Sequence, residues 1–447
     1  MKIEKRWIVS FAIMCILAIV SLFWVNTNAG ITAETFGKES DINFADVAWI
    51  LTSTCLVLLM TPGLSFFYGG MVGKKNVIST MLQSFICLGV ICLLWVVIGF
   101  SIAFGDPIGI TIDGKEYGFF GNPLQYLFFN NVSLLPSKSL GATIPFVLFA
   151  LFQMKFAIIT PALITGSFAE RVRFISYLVF ISLFSLFIYA PLCHSIWHPN
   201  GILGSYFGIK DFAGGTVVHM SAGFAALAGA IVLGKRKNSG HIATNIPFVL
   251  LGTGLLWFGW FGFNAGSALG ANGLAAMAFA TTMIASASAM LTWIFFDRVN
   301  GRKVSALGAC IGAVVGLVAI TPAAGFVSIP ISIFIGFISS IVSNIVVNAK
   351  FMKKMDDTLD VFACHGVGGI MGMILTAIFA EGTDVSLING GWAIFGEHMI
   401  ALLLVCVFTF GGSFILYKIT DAIIPLRVAE ESEEMGLDLS QHDETYP

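Results

Sequence analysis

Apolar runs of some twenty residues recur along the whole chain, separated by short stretches that carry most of its charges. A run of that length crosses the ~30 Å hydrocarbon layer as an α-helix, because lipid offers no partner to backbone N–H and C=O groups and a helix satisfies them internally. The pattern predicts helices at roughly 43–69, 77–104, 140–168, 175–192, 212–234, 246–268, 273–296, 305–321, 326–348, 363–380 and 398–424. The expected fold class is all-α, a polytopic membrane protein with eleven transmembrane helices. Ahead of them Lys2, Lys5 and Arg6 precede an apolar run that closes on Thr27-Asn28-Ala29, the small-residue pattern of a signal-peptidase site. Residues 1–29 are expected to be a signal peptide, and an uncleaved extra span is the other reading, since Trp7 to Val25 is long for a signal core. Residues 30–424 then make up the membrane domain and 425–447 a cytoplasmic tail.

Loop charges set the orientation. With the mature N-terminus outside, the inner loops and tail hold Lys74, Lys75, Arg171, Arg173, Lys235, Arg236, Lys237, Arg298, Arg302, Lys303, Lys350, Lys353, Lys354, Lys418 and Arg427, against Lys38, Lys115, Lys138 and Lys210 outside. Fifteen against four is a strong positive-inside bias and predicts N-out, C-in.

The two halves echo each other. Leu58-Leu59 through Phe66 to Gly69 matches Leu255-Leu256 through Phe263 to Gly266 at identical spacing, Ile159-Thr160-Pro161-Ala162 returns as Ile320-Thr321-Pro322-Ala323, and His219 has a counterpart in His365. Each repeat has five helices, and an odd number turns the second copy upside down. The halves are then related by a two-fold axis in the membrane plane, with one final helix left over.

Composition narrows the function classes. Hydrophobic residues make up 57% of the chain, charged ones 11%, and the mean hydropathy is +0.91, far from the roughly 25% charge of soluble domains. A net charge of -2 without a large basic block leaves no footprint for nucleic acid. The eight cysteines show no metal-ligand spacing and are expected to pack as small apolar side chains, so neither a metal nor a cofactor is expected. The inner loops show no Gly-x-x-x-x-Gly-Lys-Ser/Thr loop to drive pumping by nucleotide hydrolysis.

Ionisable side chains inside spans cost about 2.5–3.5 kcal/mol each on insertion scales, so the few that occur are functional candidates. His219 and His365 sit in apolar helices at corresponding places of the repeat and should meet on its axis. Neutral imidazoles there share one hydrogen bond and still present nitrogens to a passing solute; two core histidines satisfied by backbone carbonyls are the bland alternative. Glycines beside both, in Gly214-Gly215 and Gly366-Val367-Gly368-Gly369, predict close backbone approach. Phe152, Phe156, Trp197 and the run from Trp257 to Phe263 lie towards the outer half, where aromatic faces attract a partly dehydrated cation by about 0.5–2 kcal/mol each. An interfacial aromatic belt is the competing reading. Asp211 is placed to cap the helix that carries His219.

Pro62-Gly63-Leu64, Phe67-Tyr68-Gly69-Gly70, Ile159 to Ile164 with Ala169-Glu170-Arg171, Asp211 to His219, Gly259 to Ser267, and Asp356-Asp357 through His365-Gly366-Val367 together resemble the ammonium transporter family, of the Amt/Mep/Rh superfamily, on its prokaryotic branch. The resemblance implies a homotrimer in the cell (inner) membrane with one pore per subunit. It implies that Phe152, Phe156, Trp197 and Ser267 recognise ammonium, that Phe156 and Phe263 stack as a gate, and that His219 and His365 line the pore below. Asp211 and Trp260 would support the site, and a trimeric PII-type regulator would dock on the cytoplasmic face. The expected function is ammonium transport, with or without a relayed proton, by a protein that is not an enzyme.

Two departures stand out. Lys155 lies between Phe152 and Phe156 but off their shared face, so it is expected to avoid the vestibule. The tail ends in His442-Asp443-Glu444-Thr445-Tyr446, where relatives usually carry glycine after the histidine and alanine before the tyrosine, which weakens the case for regulator docking. A sensor that binds ammonium without substantial transport is the alternative, disfavoured by a tail of 23 residues after Ile424; haem ligation by the two histidines is a rival of another class.

Overall fold

The computed structural model describes residues 5–237, 240, 243–381 and 386–447; Lys2 of the basic N-terminal cluster lies outside them. The helices are α1 (Lys5–Phe23), α2 (Phe44–Met71), α3 (Lys74–Phe104), α4 (Phe146–Ser167), α5 (Phe174–Trp197), α6 (Gly215–Leu233), α7 (Ile246–Gly266), α8 (Gly273–Val299), α9 (Ala306–Ile320), α10 (Ile329–Val347), α11 (Phe362–Phe379) and α12 (Trp392–Ile423). All eleven expected helices are present, with α1 in addition. Every one except the 15-residue α9 is long and apolar enough to cross a membrane. At 1.5 Å per residue α9 falls short of a full span, and it can do so because nearly all of it is buried among other helices rather than against lipid.

Side-chain caps fix several helix starts. Asn43 accepts from Ala45 N at 2.9 Å, Asn245 from Phe248 N at 3.0 Å, Asn272 from Ala275 N at 3.0 Å and Ser305 from Gly308 N at 3.0 Å. Boundaries moved where proline acts. The helix expected from 140 begins at Phe146, because Gly141–Pro145 pairs as a strand with Pro136–Ser137 and a residue before proline favours extended backbone. The helix expected to end at 192 continues to Trp197, since the wide turn Ser185–Tyr189 leaves Pro191 in the first turn of a fresh helical segment, where its missing N–H costs nothing. A hairpin of Pro107–Ile112 with Lys115–Gly121 closes the same end of the bundle.

The five-helix units α2–α6 and α7–α11 interlock. α2 and α7 run antiparallel with backbones in contact: a Cβ on Gly63 would stand 2.9 Å from Leu255 Cβ, and one on Gly259 would stand 2.3 Å from Met60 Cγ. In the second echo, Thr160 donates to Phe156 O at 2.8 Å and Thr321 to Leu317 O at 2.7 Å, the same bond in each copy. The third echo meets at the centre, where Gly223 faces Gly366 and Gly369 faces Met220.

At the opposite end from the hairpin, residues after α12 fold back as α13 (Glu430–Met435) and α14 (Leu437–His442). Asp438 accepts from Ile78 N (3.1 Å) and Ser79 N (2.7 Å), Gln441 accepts from Phe174 N (2.8 Å), and Asn245 donates to Tyr446 Oη (2.8 Å). The tail thereby closes the starts of α3, α5 and α7. Asp443 has φ +55°, the left-handed conformation that glycine adopts freely and aspartate tolerates, so this departure leaves the tail's path intact.

Candidate functional site

His219 and His365 each lie in a wide π-helical first turn, Gly215–Met220 of α6 and Phe362–Val367 of α11. Such turns recur at functional sites because they redirect side chains and free backbone groups. Gly214, at φ +124°, supplies a backbone that no L side chain adopts easily ahead of the first of them. Both turns begin on an aspartate. Asp211 accepts from Gly214 N (2.7 Å), Gly215 N (2.6 Å) and Thr216 N (2.8 Å), and also from the Thr216 hydroxyl. Asp357 accepts from Phe362 N at 2.7 Å. Burial pushes its carboxyl up to about 6, with the Phe362 amide pulling the other way. Each aspartate stands eight residues before its histidine. The pairing was legible in that spacing, yet only Asp211 drew attention as a cap.

The rings meet in the buried centre, Nδ1 to Nδ1 at 3.2 Å. One nitrogen of the pair donates and the other accepts. Among the described residues, His219 Nε2 is buried without a partner. Trp260 stacks on His219 with centroids 5.3 Å apart and planes at 14°, and its indole N–H donates to Thr321 at 2.8 Å. Repeat symmetry fails here, since glycine 63 occupies the place in the first half that Trp260 fills in the second. Among the described residues no cluster of histidine, cysteine and carboxylate is arranged for a metal.

Beyond the histidines, Phe156 and Phe263 stack with centroids 4.2 Å apart. Past that pair, towards the hairpin end, opens a cavity of about 200 Å³ lined by Phe149, Gln153, Phe156, Trp197 and Ser267 among others. Trp197 meets Phe156 edge to face at 5.8 Å and donates its indole N–H to Asp211 O at 3.0 Å. The Ser267 hydroxyl donates to Phe263 O at 2.9 Å, leaving its oxygen lone pairs available as acceptors. The structure brings Trp197, Phe156, Phe263, Ser267, His219 and His365 into one run of contacts. Phe152 stands behind Phe156, at 5.0 Å and packed on Gly266, and does not line the cavity. Asp211 holds backbone amides and does not line it either. Lys155 points elsewhere, its amine 3.9 Å from Met154 Sδ.

Residues 48–446 match the model of a family described as the Ammonium Transporter Family. An ammonium transporter of Aquifex aeolicus is 43% identical over 417 residues, covering 92% of this chain and 95% of that protein. The crystal structure of Saccharomyces cerevisiae Mep2 superposes with a TM-score of 0.82 at 33% identity, over 93% of this chain and 96% of that one. A structure named Sensor Amt Protein is also similar, with a TM-score of 0.79 at 29% identity, over 89% of this chain and 98% of that one.

Proposed function

Since this chain belongs to the Ammonium Transporter Family, we propose that it recognises ammonium in the aromatic cavity and conducts it, as ammonia with or without a relayed proton, past the twin histidines. The observation that carries this reading is the contact of His219 with His365 directly beneath the Phe156–Phe263 stack. The protein is a transporter and not an enzyme, built as an all-α multi-pass membrane protein.

The mechanism follows from the order of groups. An ammonium ion in the cavity meets the faces of Trp197 and Phe156, which partly replace its water, and the Ser267 oxygen, which accepts an N–H. Size does not separate ammonium from potassium; hydrogen-bond donors and a removable proton do. Moving the ion inward past the stacked rings removes solvent, which disfavours the charged form and favours loss of the proton. Ammonia then passes rings that hold each other in place through Nδ1 and offer His219 Nε2, a nitrogen with no partner among the described residues. Asp211 fixes both the turn bearing His219 and the Trp197 indole.

Orientation, assembly and location belong to the same proposal. Lys74, Arg171, Arg236, Lys237 and Arg427 gather at the tail end, which supports that end as cytoplasmic and the hairpin end as outside. We place the protein in the cell (inner) membrane as a homotrimer, residues 1–29 being removed as a signal peptide, with the tail face open to a PII-type regulator. A sensor is the second reading, supported by the likeness to the Sensor Amt Protein.

Ammonium uptake into proteoliposomes, measured for the wild type and His219→Ala, tests the reading. Flux with altered rate or selectivity in the variant is expected; equal flux and selectivity would reduce the histidines to packing. Wild-type binding without flux would favour the sensor. A current on adding ammonium supports proton relay, and undiminished uptake in electrical silence supports conduction of ammonia alone.

A further inference from the structure

We infer that the Gln153 side-chain amide is a second hydrogen-bond acceptor for the ammonium ion and sets the preference for ammonium over its methylated forms. The inference rests on reading the cavity beside Trp197 as the recognition site. Phe149, Gln153 and Phe156 follow each other at helical spacing on α4, and all three line that cavity. Gln153 Oε1 is buried with no partner among the described residues. A buried carbonyl oxygen is costly to leave unbonded, and a half-turn of the amide about its last side-chain bond exchanges oxygen with nitrogen, so the group is completed by turning that oxygen to what the cavity receives.

The neighbouring groups fix what that is. Trp197 has spent its N–H on Asp211 O and presents its ring, while Ser267 has spent its hydroxyl proton on Phe263 O and presents lone pairs. An ion bearing four N–H donors in a tetrahedron suits two oxygen acceptors and two aromatic faces. Methylammonium keeps three N–H donors, so meeting both oxygens forces its methyl group against an aromatic face and leaves half as many productive orientations of the ion. Gln153 therefore favours the unmethylated ion through direct contact, a role separate from the histidines below.

Uptake kinetics in proteoliposomes for ammonium and methylammonium, with wild type, Gln153→Leu, Gln153→Glu and Trp197→Leu, provide the test. Gln153→Leu is expected to raise the ammonium half-saturation concentration five- to tenfold, well beyond any change in maximal flux, and to narrow the ratio between the two substrates. Gln153→Glu, which keeps an acceptor at that reach, is expected to retain the wild-type ratio. Wild-type half-saturation and ratio in Gln153→Leu overturn the inference, as does a Gln153→Glu variant as weak as Gln153→Leu. If Gln153→Leu fails to reach the membrane, Gln153→Met removes the acceptor at similar length and is judged by the same numbers. A wild type that neither binds nor moves ammonium defeats the reading of the cavity itself, whereas a rise in half-saturation for Trp197→Leu with none for Gln153→Leu defeats this inference alone.

Discussion

Asp211 and Asp357 do at two places what a helix start otherwise asks of several residues. Both hold the amide five positions ahead and stand eight positions before a histidine. Removing such a cap costs about 1–2 kcal/mol. Asp211→Ala and Asp357→Ala are therefore each expected to lower the thermal unfolding temperature, but only Asp211→Ala should also raise the ammonium half-saturation concentration, because the turn its carboxylate holds also positions the Asp211 carbonyl that accepts the Trp197 indole N–H at the cavity. A paired scan of unfolding and uptake decides; equal effects on uptake would contradict the division of roles. The histidines and aromatic residues were legible because ionisable and aromatic side chains are conspicuous in apolar sequence. Gln153 was not, since an uncharged amide beside Phe152 carries no sign of which groups around it lack partners. Phe152 shows the converse: its helical spacing to Phe156 puts both on one face, but the ring is covered by Phe156 and Gly266.

Most helices were legible to within a few residues, while the start of α4 and the end of α5 shifted at Pro145 and Pro191, and α12 begins at Trp392, six residues before the expected start. The repeat was visible in three echoes and reappears as contacts between glycines. Those contacts are unequal: a Cβ on Gly223 would stand 2.2 Å from Gly366 N, while one on Gly369 would stand 3.0 Å from Gly215 O. Gly223→Ala is expected to destabilise by about 1–3 kcal/mol or more through overpacking against backbone, and Gly369→Ala by less; denaturation in detergent ranks them, and the reverse order would refute the packing argument. The tail carries a pH dependence of its own. Burial holds the His442 imidazole below its ordinary value of 6.5, with Asp438 and Glu444 opposing, and its Nε2 meets Ser79 Oγ at 3.2 Å. A depressed value means that the docked tail has its full stability above 6.5 and loses it as pH falls through the lowered value. Protease cleavage within 427–447 should quicken on acidification from 7.5 to 5.5, and His442→Gln should flatten the response.

For the whole molecule, N-out and C-in predicts that a cysteine at Gly114, on the hairpin tip, reacts with a membrane-impermeant thiol reagent from outside, and one at Ser440 only after permeabilisation, in a background without native cysteines. The reverse pattern would invert the topology. α1 has one end by α5, where Trp7 lies 6.5 Å from Phe174, and the other by the hairpin end, where Trp24 lies 4.6 Å from Phe128, yet nearly all of it is exposed. Its release would leave the body's core untouched, and the mass of the mature protein reports cleavage directly. Gly223 against Gly366 has a kinetic corollary. Carriers that swing one half about the other must part those halves on every cycle, and they speed up when cargo waits on the far side to ride back. Backbones locked at the centre of the bundle leave no hinge to swing and no empty return, so ammonium preloaded inside the vesicles should fail to accelerate entry.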